Sequence, residues 1–135
     1  MIVDSAAVPA IVFWRAWVSG VPTSDRLRSI SKISSASFLE AAIVAETREG
    51  DRAARQCGFL VQSFGISIEA FTEEQAILAR QESSRFGEGR HPANLNFGDC
   101  FSYALAKATG EPLLFKGEGF RKTDVQPAIP QVRQI

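Results

Sequence analysis

Short apolar runs alternate with segments of helical periodicity along this chain of 135 residues. Four of the runs predict strands, at 2–3, 32–35, 66–71 and 112–115. Between them lie helical patterns long enough to act as crossovers, and neighbouring parallel strands require such crossovers. The alternation therefore predicts an α/β fold with a mostly parallel central sheet.

Capping and breaking residues delimit the helical segments. We expect helices over 6–17, 24–30, from Ser35 or Ser37 to Gly50, and over 53–64, 72–86 and 99–109. The Gly- and Pro-containing stretch 87–98 predicts a loop, and Val125 is expected to begin a last edge strand. The length fits a single domain spanning 1–135.

Charge and composition exclude several classes of protein. Fifteen basic and fifteen acidic residues cancel, so the chain lacks the general positive field of a non-specific nucleic-acid binder. No apolar run is long enough to span a membrane, and the N-terminus lacks the charged region of a secretory signal. We therefore expect a soluble cytoplasmic protein without membrane association. Cys57 and Cys100 form no metal-binding spacing and are expected to be free thiols.

Most acids, Glu82 and Glu88 among them, are expected on solvated helix faces or at helix ends, but three acids stand in apolar surroundings. Asp4 follows the first predicted strand, Glu40 lies within the apolar run 38–44, and Asp99 lies within 96–101. A buried carboxylate requires compensation, because removing its charge from water costs several kcal/mol. Helix capping by Asp4 and Asp99, and pairing of Glu40 with an arginine, are the structural alternatives. The carboxyl ends of parallel strands share one edge, however, where all three acids are expected to converge.

Converging acids repel one another, and no Lys or Arg lies within four residues of Asp4 or Asp99. A divalent cation would neutralise them, and ligands that are all oxygen select Mg²⁺ or Mn²⁺. Such an ion polarises phosphodiesters and supplies a hydroxide nucleophile, so the pattern indicates phosphate-ester hydrolysis. The basic residues expected either to recruit the substrate or to be solvated surface are Arg85, Arg90, His91, Lys116, Arg121 and Lys122.

Four segments together resemble the VapC-like PIN-domain ribonucleases: 1–5, 33–41, 85–101 and 112–117. The resemblance implies a three-layer α/β/α domain and a Mg²⁺-dependent endoribonuclease, the toxin of a type II toxin–antitoxin pair. It also implies inhibition by a VapB-like antitoxin and a homodimer. Asp4, Glu40 and Asp99 match three acidic positions of the family. Asp4 and Asp99 are then the metal ligands, while Glu40 orients a metal-bound water or serves as base.

The sequence departs from the family at the fourth acidic position. Such proteins commonly carry an Asn-Asp-Phe segment where this chain has Glu118-Gly119-Phe120, so Glu118 or Asp124 would have to replace the missing acid. Because of that departure, a second interpretation is a domain with weakened catalysis that mainly binds its antitoxin or RNA. A phosphatase acting on small substrates is a third alternative. The apolar surface around Trp14 and Trp17 is expected to receive the antitoxin.

Overall fold

The computed structural model describes residues 1–9 and 31–128. Its four strands are β1 (Ile2–Val3), β2 (Lys32–Ser34), β3 (Ser67–Glu69) and β4 (Leu113–Leu114). They form one parallel sheet in the order β3-β2-β1-β4, which confirms the predicted α/β fold. The predicted helix over 24–30, and the part of 6–17 beyond residue 9, lie outside the described residues.

The four long helices agree closely with the capping pattern. They are α1 (Ser35–Glu49), α2 (Asp51–Ser63), α3 (Glu73–Phe86) and α4 (Phe97–Thr109). Short 3₁₀ turns occupy Ser5–Ala7 and Phe120–Lys122. Gly110 ends α4 in left-handed backbone at φ 70°, as expected of a glycine after a helix. Within the described ranges, no helix is long and apolar enough to cross a membrane.

The prediction that a last edge strand begins at Val125 is wrong. Instead of a strand, Pro127 forms a single parallel bridge with Leu113, flanked by hydrogen bonds that Leu113 exchanges with Gln126 and Ala128. Both hydrogen bonds are made by the neighbours of Pro127, so its missing N–H does not interrupt them, but the pairing does not extend beyond this bridge within the described residues. Val125 is buried in the core rather than placed in the sheet.

The sheet separates two apolar clusters, and β1 supplies one residue to each. Ile2 belongs to a cluster with Tyr103 and Leu105 of α4, whereas Val3 packs with Cys57 and Val61 of α2. Successive strand residues point to opposite faces, so both residues of this central strand are fully buried. The arrangement gives the expected helical layers on either side of the sheet.

The strand order places a topological switch beside β1. The chain runs from β1 outward to β2 and β3, and returns to the other side of β1 at β4. Ligands of open α/β sheets bind at such a switch, outside the carboxyl ends of the strands. Asp4 is the first residue beyond β1, and its backbone N–H donates to the Leu114 carbonyl at 2.9 Å. The fold therefore puts Asp4 at the expected location of a ligand site.

Candidate active site

Asp4 is buried at the end of β1, with 2% of its surface exposed. Its Oδ1 accepts a hydrogen bond from Ser102 Oγ at 2.6 Å, and its Oδ2 accepts one from the Ala6 N–H at 3.3 Å. The second bond caps the turn Ser5–Ala7, so Asp4 acts as a cap while standing at the sheet edge. Both carboxylate oxygens are thus oriented by donors of the protein.

Glu40 lies half-buried on α1, and its Oε1 accepts a hydrogen bond from the Ser5 hydroxyl. No arginine lies three or four residues from Glu40, so the alternative that Glu40 pairs with an arginine along its helix does not hold. The carboxylate lies directly against Gly98, where an added Cβ would be only 1.8 Å from Glu40 Oε2. Glycine at 98 therefore gives this carboxylate its place beside the first turn of α4, the positive end of the helix dipole.

Asp99 is the third residue of α4 rather than its N-cap, so the alternative that it caps the helix does not hold. The Asn96 side chain accepts from the Asp99 N–H at 3.0 Å, while Asp99 Oδ2 accepts from the Asn96 N–H at 2.8 Å. This reciprocal capping box satisfies two free N–H groups and starts the helix at Phe97 instead of 99. It also fixes the orientation of the Asp99 carboxylate.

The three predicted acids lie close enough together to influence one another. Burial, together with the charges of Asp99 and Glu40, raises the pKa of Asp4 to about 6 against the opposing hydrogen bond from Ser102. Burial also raises the pKa of Asp99, and the charge of Glu40 adds to that increase. Such mutual repulsion is the electrostatic signature of carboxylates that share a site. The structure thus brings all three acids to one region.

The donor chemistry of this region fits a hard divalent cation. In residues 1–9 and 31–128, no group of three or more His, Cys, Asp or Glu side chains is placed to hold a metal ion. Mg²⁺ does not require such a group, because it keeps several waters and uses one or two carboxylates plus substrate phosphates. Asp4 and Asp99 supply two oriented carboxylates whose repulsion a cation would relieve. These two residues fit that mode of binding.

Neither proposed replacement for the fourth acid joins this group. Asp124 accepts hydrogen bonds from Tyr103 Oη at 2.8 Å and Lys107 Nζ at 3.1 Å. Although burial alone would raise it, these donors hold the pKa of Asp124 below its usual value. Glu118 is exposed and lies 3.8 Å from the Arg121 guanidinium. Neither acid is among the charges that raise the pKa of Asp4 or Asp99.

Two other acids near the site were expected on solvated helix faces or at helix ends. Glu88 is exposed, but its charge contributes to the raised pKa of Asp99. Glu82 is only 1% exposed, and neither of its carboxylate oxygens has a hydrogen-bond partner among the described residues. Burial raises the pKa of Glu82, the neighbouring Cys100 thiol lowers it, and Asp99 raises it. The helical spacing of Glu82 from buried Ala79 and Phe86 was the signal that could have revealed its burial.

The two cysteines are free, as predicted, and both are buried. Burial, with the negative charge of Glu82 beside it, raises the pKa of Cys100 to about 12. Burial also raises the pKa of Cys57. A thiol with a raised pKa is a poor nucleophile at neutral pH, so neither cysteine has the character of a reactive group.

The predicted substrate-recruiting cations differ in their surroundings. Arg85 lies 3.6 Å from Asp124, so part of its charge is compensated. His91 orders its own loop, since its Nδ1 accepts from the Ala93 N–H at 3.0 Å and its ring packs edge-on against Phe86. That geometry gives His91 a structural role within its loop. The remaining candidates are on the surface: Arg90, Lys116, Arg121 and Lys122.

Comparison with known proteins gives one consistent result. A model of the PIN domain matches residues 9–126. Ribonuclease VapC of Mycolicibacterium smegmatis is 44% identical over 128 residues, covering 93% of this chain and 97% of its own. Ribonuclease VapC30 of Mycobacterium tuberculosis is 39% identical over 131 residues, covering 93% and 95%.

A solved structure has the same fold. The crystal structure of Mycobacterium tuberculosis VapC20, a toxin that cleaves the sarcin–ricin loop, matches with a TM-score of 0.64. The match covers 93% of this chain and 98% of that one. At 20% sequence identity this likeness concerns the fold alone.

Proposed function

The chain belongs to the PIN domain family as an endoribonuclease of the VapC toxin type, and on that basis we propose that it hydrolyses RNA with Mg²⁺ or Mn²⁺ held by Asp4 and Asp99. The observation that carries this proposal is the convergence of three acids at the switch point of the sheet. There, burial and the charges of Asp99 and Glu40 raise the pKa of Asp4 to about 6. A site of this charge favours binding of a divalent cation.

The acids have different roles in the proposed reaction. Asp4 and Asp99 hold the ion, which when bound polarises the scissile phosphodiester and makes water more acidic. Glu40, held by the Ser5 hydroxyl, orients the attacking water and accepts its proton. Fixed carboxylates favour this chemistry because little reorganisation is needed during the reaction.

The RNA backbone is proposed to approach across the exposed cations of the loops around the site. Arg90 and Lys116 are exposed, on either side of α4 in the sequence. Phosphate contacts of this kind add affinity that falls as salt rises. Replacing either residue with Ala should raise the KM for RNA and weaken its salt dependence, with kcat little changed.

A VapB-like antitoxin and a second copy of the chain are the proposed protein partners. Helix α1 exposes Leu39, Ile43 and Val44, at 58%, 51% and 44% of their surfaces, on neighbouring turns. Exposed apolar groups of this spacing favour association with another protein. The predicted antitoxin surface around Trp14 and Trp17 lies outside the described residues. Light scattering after gel filtration, alone and with the antitoxin, measures both associations.

The cytoplasm is the proposed place of action. Two free, buried cysteines and an RNA substrate support this location. Fractionation of cells that express a tagged chain at low level tests it, and recovery outside the cytoplasmic fraction would exclude it.

Cleavage of RNA by the purified chain tests the proposed function. We expect discrete products with Mg²⁺ or Mn²⁺, and none with EDTA or with Asp4→Asn or Asp99→Asn. The matched control is Asp51→Asn, since that acid is exposed and pairs with Arg55 on its own helix. Cleavage that persists in Asp99→Asn would refute the assigned ligands.

The same assay decides between the proposal and its alternatives. A folded, metal-binding protein that cuts no RNA would favour the weakened binding module, an alternative that the missing acid at 118–120 also supports. Release of phosphate from phosphomonoesters, without cleavage of RNA, would favour a phosphatase.

A further inference from the structure

A buried chain of hydroxyl groups leads to Asp4. Ser37 Oγ lies 3.1 Å from Ser102 Oγ, which lies 2.6 Å from Asp4 Oδ1. Both serines are fully buried. No ordinary requirement of the core explains two serines here, because alanine fills nearly the same volume without a polar group to satisfy.

The order of donors along this chain follows from the number of protons. Each hydroxyl has one proton, and Ser102 gives its proton to the ionised Asp4 carboxylate. Ser102 then has only lone pairs to offer, so Ser37 donates to Ser102. A hydrogen bond to a charged acceptor is stronger than a neutral one, and a second donor behind it polarises and strengthens it further.

The two serines belong to the helices that carry the other two acids. Ser37 precedes Glu40 by three residues on α1, and Ser102 follows Asp99 by three residues on α4. Residues three apart share one face of a helix. The hydroxyl chain therefore fastens together β1, α1 and α4, the three elements that bring the acids to the site.

We propose that Ser37 and Ser102 are positioning residues of the endoribonuclease, which hold Asp4 in place relative to Glu40 and Asp99. The inference rests on the proposed function, because it assigns the hydroxyl chain to the same metal site. Ser102 acts directly on Asp4 and Ser37 acts through Ser102. Neither serine touches the substrate.

The first test measures Mn²⁺ affinity by titration calorimetry for the wild type, Ser102→Ala, Ser37→Ala and the double variant. Ser34→Ala is the matched control, because Ser34 is equally buried but caps α1 through the Ala36 N–H. Partners that orient metal ligands typically contribute about 10–100-fold in affinity. We expect Ser102→Ala to lose at least about tenfold, and Ser37→Ala to lose less.

The double variant carries the sharpest expectation. Since Ser37 acts through Ser102, removing both should weaken Mn²⁺ binding no more than Ser102→Ala alone, whereas independent structural defects would add. RNA cleavage should show a lower kcat with an unchanged KM. Affinity and kcat of Ser102→Ala equal to those of Ser34→Ala would overturn the inference.

A second measurement separates this inference from the proposed function. Urea unfolding in EDTA compares Ser102→Ala in the wild type and in an Asp4→Ala background. If the Ser102 hydroxyl holds Asp4, Ser102→Ala should lower the urea midpoint of unfolding less in the Asp4→Ala background than in the wild type. Equal losses in both backgrounds refute the positioning role. Failure of the wild type to bind Mn²⁺ or to cut RNA would instead refute the proposed function.

Discussion

Replacement of Asp4 by Asn should stabilise the metal-free protein at neutral pH while abolishing its activity. Burial and the neighbouring acids raise the pKa of Asp4 from 3.8 to about 6. The folded state therefore holds the Asp4 proton more tightly than the unfolded state does. Stability from this group is complete below about pH 4 and is lost as the pH rises through about 6. At pH 7.5 the loss amounts to about 3 kcal/mol.

The amide of Asn avoids this loss but forfeits one hydrogen bond. Its carbonyl oxygen can still accept from Ser102, whereas its NH₂ group cannot accept from the Ala6 N–H that Asp4 Oδ2 now receives. Loss of such a capping bond costs about 1 kcal/mol. The expected net gain at pH 7.5 is therefore about 1–2 kcal/mol, which disappears near pH 4.

Urea unfolding followed by circular dichroism, in EDTA at pH 4 and pH 7.5, measures this difference. Asp51→Asn, at an exposed acid, should follow the pH dependence of the wild type. Adding Mn²⁺ should raise the stability of the wild type but not of Asp4→Asn. If Asp4→Asn were less stable than the wild type at pH 7.5, and if its stability had the same pH dependence, the raised pKa assigned to Asp4 would be refuted.

Three further variants test the geometry of the site. Gly98→Ala should displace the Glu40 carboxylate, because an added Cβ would lie 1.8 Å from Glu40 Oε2, and kcat should fall at least about tenfold with little change in stability. Gly58→Ala is the control, since a Cβ there makes only an ordinary contact. Equal kcat values for the two variants would contradict the proposed role of Glu40. Asp124→Asn should lower stability by about 1 kcal/mol in urea unfolding at pH 7 and leave kcat within about twofold, because this acid is engaged by Tyr103 and Lys107. Glu118→Gln should change neither quantity, and a large fall in kcat for either acid would reinstate it as a replacement for the fourth acid.

Periodicity and caps were sufficient for the elements of the described fold. Thr72 caps α3 and Gly110 ends α4, as predicted, because these local interactions involve only neighbours in the sequence. Local patterns were wrong at two points. Ser34, not Ser35 or Ser37, caps α1, and a single bridge at Pro127 stands where a strand was expected from Val125.

The environments of single acids were harder to predict, since they depend on contacts between distant segments. Glu82 was expected on a solvated helix face or at a helix end, yet packing of α3 against α4 buries it beside Cys100. Asp124 was a candidate for the fourth acid, yet Tyr103 and Lys107 engage its carboxylate, and it is not among the charges that raise the pKa of Asp4 or Asp99. Neither contact follows from a local pattern.

The sequence by itself determined the α/β class, most helix ends and the three acids to consider, because these depend on residue type and on neighbours within one or two turns. Only the tertiary structure decided the strand order and the meeting of β1, α1 and α4 that brings Asp4, Glu40 and Asp99 together. It alone revealed the hydroxyl chain from Ser37 through Ser102 to Asp4, whose members are 65 and 98 positions apart. Hydrogen bonds and charge repulsion depend on distance in space, and folding sets that distance independently of separation along the chain.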